Sequence, residues 1–413
     1  MTEAWCVLNN SVTLMNSKQA PVRSLSAPLV FMAFLIVHVL NEIDASAASL
    51  IFHTDSGAGE WANAGNWFMQ SNGQGTSSIV IAPQAAFAIT GSERKRFQQG
   101  RIVNKGSATW SGTGSLDMTA GSVFSNEGDL QILNDAAVAW FGGSPLPLFS
   151  NSGTLRKIAG IGITVFEVAF ENAGTLRREA GVIEFGNSFT QTGGETVPLG
   201  GVIRSQKLME FQGGRLSGPG TIQGSITMNG VLALEGGGEP LNVSGDYQQT
   251  VAGTFELRNF GSNSRIALNV AGKANLAGGF AFFASPGFQP ADGARFSVAS
   301  FLTGSGSFAR LHGLYLGKGL TLHPELSATT LDLVASVQPL TRPQVSFDLG
   351  SNRSELRLVF PSIPGQPYRI EASDDLVHWE TVFSGESSEA TTSFAVPLGS
   401  SSHPYRFFRT NQD

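Results

Sequence analysis

The sequence is almost without cysteine. Cys6 is the only one among 413 residues, and it lies in an N-terminal segment that we expect to be removed. The mature chain would then carry no thiol, which excludes disulfide bonds and thiolate catalysis. Its stability has to come from packing and hydrogen bonding.

Charge is scarce as well. Asp, Glu, Lys and Arg make up 14% of the chain, against about 25% in a typical soluble protein, and the net charge is −6. Lys and Arg form no block, so nucleic acid is not an expected partner. The histidines show no metal-ligand spacing, and we predict neither a metal nor another cofactor. They are His38, His53, His312, His323, His378 and His403.

The N-terminus has the order of a secretory signal peptide. Lys18 and Arg23 precede a largely apolar run of 14 residues, 27–40, and the small residues Ala45-Ser46-Ala47 follow. A membrane span needs about 20 apolar residues, so we predict cleavage near Ala47 rather than an anchor. Residues 1–47 are thus a predicted signal peptide, with Met1 or Met15 as the start. The mature protein is expected to be secreted or at the cell surface, without a membrane span.

Glycine and repetition are abundant. Gly accounts for 50 of the 413 residues, about twice its usual share. A phrase built on Asn and Gly returns four times between Val103 and Glu184, with its asparagines 22, 25 and 21 residues apart. Self-similarity at this period predicts a solenoid, in which each repeat forms one coil. The repeated asparagines are Asn104, Asn126, Asn151 and Asn172.

The Asn-x-Gly phrase has a physical reason at a coil corner. Asn and Gly tolerate the positive φ of a sharp turn, and the Asn amide can bond to the backbone of its own turn. Stacked asparagines in successive coils can also form a hydrogen-bonded ladder. The sequence therefore predicts positive-φ corners and a column of asparagines.

Apolar alternation locates the interior of the coils. Residues 165–170 predict one strand, with Phe166, Val168 and Phe170 on the same face. Trp110 and Trp140 would be core residues if buried and sugar-stacking residues if exposed. We predict the core for both, because aromatic side chains supply the most burial.

The domain boundaries follow from changes in composition. Residues 48–100, with Trp61 and Trp67, are predicted to cap the solenoid, and residues 101–335 to form it, with regular coils to about 235 and wider or antiparallel capping strands beyond. Residues 336–344 contain two prolines and little apolar content, which is typical of a linker. Residues 345–413 alternate with period two and predict a small β-sandwich, with Trp379 in its core.

Two parts of the chain resemble known families. Asn151-x-Gly153-Thr154-Leu155 and Gly245-Asp246-Tyr247-x-Gln249-Thr250 resemble phrases of secreted bacterial β-helix proteins related to autotransporter passenger repeats. Tyr368-Arg369-Ile370-Glu371-Ala372 and the later Trp379 resemble a C-terminal, fibronectin-like β-sandwich module of exported bacterial proteins. The resemblance implies a right-handed parallel β-helix and a surface or secreted location. It implies no catalytic residues, and we expect no membrane barrel after the solenoid.

Two basic pairs occupy equivalent positions of the repeat. Arg156-Lys157 and Arg177-Arg178 are 21 residues apart, so adjacent coils would stack like charges about 4.8 Å from each other. Neutralisation can come from within, with Glu167, Glu171, Glu179 and Glu184 as the candidates, or from an anionic polysaccharide. A carboxylate such as Glu184 beside a basic group would also suit a polysaccharide lyase. Solvated surface charges are the plain alternative.

These observations predict an all-β protein: a right-handed parallel β-helix followed by a small β-sandwich. The predicted function is that of a non-enzymatic secreted or cell-surface structural or adhesion protein. The alternative is a polysaccharide-binding protein, a polysaccharide lyase or a glycoside hydrolase. Extracellular polysaccharide or cell-surface components are the expected partners. The predicted ligand-binding face is Arg156, Lys157, Arg177, Arg178 and Glu184.

Overall fold

A computed structural model describes residues 77–81, 83–84, 86–98, 100–337, 346–349, 355–362, 365–387, 391–397 and 407–412, with four short strands before residue 53. Its contacts divide the chain into two units. The first is Met1–Thr227 with Val243–Gly245, and the second is Met228–Asn242 with Asp246–Asp413. All regular structure in the described residues is β-strand. The predicted cap residues Trp61 and Trp67, and nearly all of the predicted signal peptide, lie outside these ranges.

The first unit is a parallel β-solenoid with three strands in each complete coil, which confirms the predicted fold class. We name its three stacks of strands face 1, face 2 and face 3, in the order in which a coil meets them. Face 1 contains β7 (Lys95–Gln98), β10 (Leu116–Thr119), β13 (Val138–Trp140), β16 (Ile163–Phe166), β19 (Val182–Phe185), β22 (Val202–Ser205) and β25 (Gly220–Gln223).

The other two faces continue each coil. Face 2 contains β5 (Ser77–Ile81), β8 (Gly100–Asn104), β11 (Val123–Asn126), β14 (Leu148–Asn151), β17 (Ala169–Asn172), β20 (Phe189–Gln191) and β23 (Met209–Phe211). Face 3 contains β4 (Ser49–Phe52), β6 (Ala86–Ile89), β9 (Ser107–Trp110), β12 (Asp129–Ile132), β15 (Thr154–Lys157), β18 (Thr175–Arg178), β21 (Glu195–Val197) and β24 (Arg215–Ser217). Further toward the N-terminus, β1 (Cys6–Leu8), β2 (Ser11–Thr13) and β3 (Leu25–Ser26) form a small antiparallel sheet.

Apolar side chains at alternate strand positions fill the interior of the coils. On face 2, Phe124, Phe149 and Phe170 are in register and almost completely buried. Their rings stack nearly parallel, with centroids 4.8 Å apart for the first pair and 5.4 Å for the second. Offset aromatic stacks add to the free energy gained by burial alone, so this column stabilises the sheet as well as the core.

The predicted strand at 165–170 is in fact two strands. The face 1 strand β16 ends at Phe166 and the face 2 strand β17 begins at Ala169, with a corner between them. Phe166, Val168 and Phe170 are all buried, as predicted. A short corner keeps the inward direction of alternate residues, so alternation alone does not reveal the break.

The corners between faces 2 and 3 carry the predicted asparagine column, which the structure confirms. The Nδ2 atom of Asn104 donates to Oδ1 of Asn126, and the same bond links Asn126 to Asn151 and Asn151 to Asn172, each at 2.7 Å. Asn172 then donates to Oε1 of Gln191 at 3.1 Å. All five side chains are buried. Each amide therefore meets a partner of the next coil, as buried polar groups must.

The predicted positive φ at these corners is wrong. None of Gly128, Gly153 and Gly174 lies in the left-handed region, and neither do the asparagines. Glycine is needed because the coils approach closely: a Cβ atom on Gly153 would lie 2.1 Å from the carbonyl oxygen of Gly128. Gly174 meets Gly153 in the same way at 2.1 Å.

The boundary between the two units falls within two strands, β26 (Ile226–Met228) and β28 (Leu241–Val243). The strands of the second unit that follow also pair in parallel. One parallel stack runs through β27 (Val231–Glu235), β30 (Thr254–Phe260), β32 (Gly279–Ala284) and β34 (Arg310–His312). Another runs through β29 (Tyr247–Gln249), β31 (Leu268–Leu276) and β33 (Arg295–Gly306). Parallel stacking thus extends past residue 235, where the sequence predicts the regular coils to end.

Antiparallel strands follow the parallel stacks in this part of the second unit. β37 (Thr330–Val337) pairs with β33 and with β36 (Leu320–Leu326), which in turn pairs with β35 (Tyr315–Gly317). Ser336 and Val337 of the predicted linker belong to β37, and residues 338–345 are outside the described residues.

Two small antiparallel sheets follow at the C-terminus of the second unit. The first contains β38 (Ser346–Leu349), β39 (Glu355–Pro361) and β42 (Thr391–Pro397), and the second β40 (Pro367–Ser373), β41 (Glu380–Glu386) and β43 (Phe407–Gln412). Leu358 and Phe360 of one sheet pack with Tyr368 and Ile370 of the other. Trp379 lies outside this core, so the prediction that it belongs to the core is wrong. The Cζ atom of Arg409 lies over the Trp379 ring, 4.2 Å from the ring centroid.

The C-terminal sheets contact the last parallel strand of the second unit. The Glu386 carboxylate accepts a hydrogen bond from the backbone N–H of Gly313 at 2.8 Å and pairs with His312. Gly365 approaches Leu314 so closely that a Cβ atom would lie 2.9 Å from the Leu314 nitrogen. Covering the end of a stack in this way restricts edge-to-edge pairing with another chain.

Candidate functional site

The two basic pairs are in register on face 3, as their spacing predicts. β15 and β18 align Arg156 with Arg177 and Lys157 with Arg178. In this position each basic group has a partner within the protein, and the partners differ from one residue to the next. What these residues can offer to a ligand depends on those partners.

Arg156 and Arg177 are on the outer side of face 3. Arg156 donates to both carboxylate oxygens of Asp129, at 3.1 and 3.4 Å. Arg177 donates from Nε to Glu179 at 3.3 Å. Of the four glutamates proposed from the sequence, Glu179 does act as an internal counter-charge, and Asp129 supplies the second. The like charges of adjacent coils are therefore compensated without an external anion.

Lys157 does not reach the outer surface. Its side chain is 0% exposed, and its Nζ atom donates to the carbonyl oxygens of Asn134 and Ala159, to Thr164 and to Asp135, the last at 2.7 Å. Burial raises the pKa of Asp135, but the hydrogen bonds from Lys157 and Gly162 outweigh it and hold this pKa below its ordinary value. Lys157 thus ties three chain segments together and is not available to a ligand.

Arg178 lies along the coil surface instead of projecting from it. Its Nε atom donates to the carbonyl oxygen of Gly181 at 2.6 Å, and its guanidinium covers Gly201, where a Cβ atom would lie 1.7 Å from Cζ. Partial burial lowers the pKa of Arg178. The absence of a side chain at Gly201 makes room for this arginine.

Glu184 is not part of the basic row. It lies on β19 of face 1 and pairs with Arg204 of the next coil through two hydrogen bonds, one of them at 3.0 Å. β19 follows β18, the strand of Arg177, directly along the chain, but the two strands belong to different faces. The structure therefore does not bring Glu184 together with the arginines, and ligand binding by this face stays a prediction.

A different cluster stands at the corner between faces 1 and 2. Trp140 and Phe141 are each 46% exposed, whereas Trp110 is buried, so the core prediction holds for Trp110 and is wrong for Trp140. The Arg96 guanidinium lies over the Phe141 ring, 3.8 Å from its centroid. The backbone N–H of Trp140 donates to the Glu167 carboxylate at 3.1 Å. We call Arg96, Trp140, Phe141 and Glu167 the aromatic corner.

The sequence does hold a signal for this corner. The spacing from Asn126 to Asn151 is 25 residues, the longest in the column, and the extra residues fall in the segment 141–147. Gly142 and Gly143 both have positive φ, at 91° and 89°, as expected of a turn. A tryptophan at the entrance of an inserted turn is displaced from the interior, which apolar composition by itself does not indicate.

Other site types find no support in the described residues. No group of three or more His, Cys, Asp or Glu side chains there could hold a metal ion. Within the same ranges, no helix has the length and apolar character needed to cross a membrane.

Comparisons with family models, with curated proteins and with solved structures found no match to this chain.

Proposed function

We propose that the protein is a non-enzymatic structural or adhesion protein, secreted or held at the cell surface, which presents a stiff β-solenoid face. The observation that carries this proposal is the buried side-chain column from Asn104 to Gln191. Its bonds link five successive coils, so a coil cannot shift without breaking bonds to both neighbours. Such a column suits a scaffold that holds its surface in a fixed shape.

The ion pairs of the predicted ligand-binding residues also favour a non-enzymatic role. A lyase needs a free base and a basic group that neutralises a substrate carboxylate. Here Arg156 is held by Asp129, Arg177 by Glu179, and Glu184 by Arg204. Groups already engaged by internal partners would have to break these pairs before they could act on a polysaccharide.

The same proposal includes a relationship to families of exported bacterial proteins. The phrases around Asn151 and Gly245 resemble autotransporter-type β-helix repeats, and the Tyr368 segment resembles a fibronectin-like module of exported proteins. The predicted signal peptide, residues 1–47, supports export. Extracellular polysaccharide or cell-surface components are the proposed partners.

Two measurements test the proposal. The purified protein is incubated with a panel of neutral and acidic polysaccharides, and we expect no release of reducing ends or of unsaturated sugars from any of them. Product from any polysaccharide would overturn the non-enzymatic assignment. Expression of the full chain in a bacterial host, followed by N-terminal sequencing of the exported protein, should find cleavage near Ala47. Retention of the uncleaved chain inside the cell would contradict the proposed location.

A further inference from the structure

The aromatic corner combines two exposed rings with a fixed backbone. The segment that follows Phe141 folds back on the preceding coil, where the N–H of Ala120 donates to the carbonyl oxygen of Gly142 at 3.1 Å and that of Gly121 to Pro145 at 2.6 Å. Gly143 is so close to Ala120 that a Cβ atom added to Gly143 would lie 2.7 Å from the Cβ of Ala120. Binding to a platform that is already ordered loses little conformational entropy.

Open space adjoins the rings. A Cβ atom added to Gly142 would meet nothing within 4 Å, so the space beside Gly142, next to Phe141 in the chain, is open. One face of Phe141 is occupied by the Arg96 guanidinium. The indole ring of Trp140 is the larger exposed surface, and it carries a polar N–H at its edge.

The charged groups of the aromatic corner and of the adjoining strands are balanced in number. Arg96, Asp117 and Ala139 are in register on three adjacent strands of face 1. Asp117 accepts a hydrogen bond from Ser115 at 2.6 Å and lies 3.7 Å from Arg94. Glu167 lies beside Trp140, so Arg94 and Arg96 are matched in number by the carboxylates of Asp117 and Glu167. The formal charges cancel, which favours a ligand without net charge over an acidic one.

We propose that the aromatic corner is a binding subsite for a neutral polysaccharide chain. The C–H face of a sugar ring stacks on an aromatic ring, and its hydroxyl groups need donors and acceptors at the ring edge. Trp140 supplies the stacking surface, Glu167 accepts from hydroxyls, and Arg96 donates to them. The inference rests on the proposed adhesion function and names its ligand class and its site. It also moves the expected glycan contact from face 3 to the corner between faces 1 and 2.

The test is affinity electrophoresis of the full chain in gels that contain a neutral polysaccharide (β-glucan, xylan or galactomannan) or an acidic one (alginate or polygalacturonate). We expect at least one neutral polysaccharide to retard the wild-type protein more than the acidic ones do. Trp140→Ala should weaken this binding by about tenfold or more, and Phe141→Ala should weaken it as well. Trp140→Phe, which keeps an aromatic face, should retain part of the binding.

The matched control is Ile161→Ala. Ile161 is 98% exposed and also lies in the first unit, but it belongs to the corner between faces 3 and 1, so its removal should leave binding unchanged. Thermal unfolding of each variant shows whether the fold is intact, which is expected because both rings are at the surface. Arg156→Ala combined with Arg177→Ala should not change the retardation by neutral polysaccharides.

The outcomes separate the two proposals. Equal binding by Trp140→Ala and wild type, or no retardation by any neutral polysaccharide, overturns the subsite and leaves the structural role standing. Stronger retardation by acidic polysaccharides that is lost in the Arg156 and Arg177 double variant also overturns it, in favour of face 3. Release of sugar products overturns the non-enzymatic function, whatever the effect of Trp140→Ala on binding.

Discussion

The amide of Asn126 donates to the Oδ1 atom of Asn151 at 2.7 Å in the interior of the first unit. Asn151 in turn donates to Asn172 at 2.7 Å and to the carbonyl oxygen of Thr175 at 3.1 Å. Asn151→Ala removes these bonds and leaves the buried Oδ1 atom of Asn172 without the donor that Asn151 supplies. We expect the free energy of unfolding to fall by about 2–4 kcal/mol, measured by urea denaturation.

Asn187 provides the matched control for this change. Its side chain is only partly buried and accepts surface hydrogen bonds from Lys207 and from the backbone of Ser188. Asn187→Ala should alter the free energy of unfolding by no more than about 0.5 kcal/mol. If Asn151→Ala were no more destabilising than Asn187→Ala, the column would not be a source of stability.

Gly153 tests why glycine occupies the corner between faces 2 and 3. An alanine methyl group there would lie 2.1 Å from the Gly128 carbonyl oxygen, so the coils would have to separate. Gly153→Ala should lower the free energy of unfolding by about 1–3 kcal/mol, as overpacking does. Gly186→Ala is the control, since its methyl group would find its nearest neighbour at 3.6 Å. That variant should be neutral or more stable by about 0.4–1 kcal/mol, because alanine restricts the unfolded chain.

The same residues show how far the sequence reaches. The repeat of asparagines predicts the column, because stacking of identical amides depends only on register. The role of Gly153 could not be predicted correctly, since close approach of a neighbouring coil is a tertiary contact and positive φ is a local one. The repeat could not be followed past residue 235 for a related reason: there the coils lose the Asn-x-Gly phrase, and Gln249 bonds to Gly279 instead, at 2.9 Å.

The candidate site was predicted less well than the fold. Spacing places Arg156 and Arg177 in register, but it carries no information on which carboxylates lie beside them. Asp129 belongs to the preceding coil and to the other end of its strand, so its contact with Arg156 depends on side-chain direction. Trp140 was misassigned because burial depends on the inserted turn at 141–147, not on the residue type.

The buried ion pair of Lys157 and Asp135 gives a prediction that depends on pH. Asp135→Asn leaves the ammonium group of Lys157 without its counter-charge, and Asp135 itself is 38% exposed, which weakens the pair. We expect a loss of about 1–3 kcal/mol in the free energy of unfolding at neutral pH. The folded-state pKa of Asp135 is below its ordinary value of 3.8, so the unfolded chain takes up the proton first as the pH falls.

The difference between wild type and Asp135→Asn should therefore be constant above about pH 5 and shrink as the pH drops below 4. Urea denaturation of both proteins from about pH 7 down to about pH 3 measures this difference. Glu179→Gln is the control, because its pair with Arg177 is at the surface and contributes at most about 1 kcal/mol. A difference that grew on acidification would contradict the assigned ion pair.

Lys95, like Lys157, is a buried lysine of the first unit. Its side chain is 0% exposed, and Nζ donates to the carbonyl oxygens of Gly91, at 3.0 Å, and of Glu93. Burial lowers the pKa of Lys95 from 10.5 to about 8, and the charge of Glu93 opposes this only in part. Below the lowered pKa the folded protein has to keep an ammonium group out of water, so the charged form is less favourable in the folded state than in the unfolded chain.

The stability of the wild type relative to Lys95→Met should consequently rise with pH. Between about pH 8 and 10.5 the unfolded chain holds the Lys95 proton that the folded protein has lost, so the free energy of unfolding increases with pH in this window. The full gain is roughly 3 kcal/mol, since the pKa falls from 10.5 to about 8 and one pKa unit corresponds to about 1.4 kcal/mol. Groups that titrate in both proteins, such as the buried phenol of Tyr247, cancel in the difference.

Urea denaturation of wild type and Lys95→Met at about pH 7, 8, 9 and 10 measures this difference. A difference that stayed flat from pH 7 to 10 would mean that Lys95 titrates as an exposed lysine does.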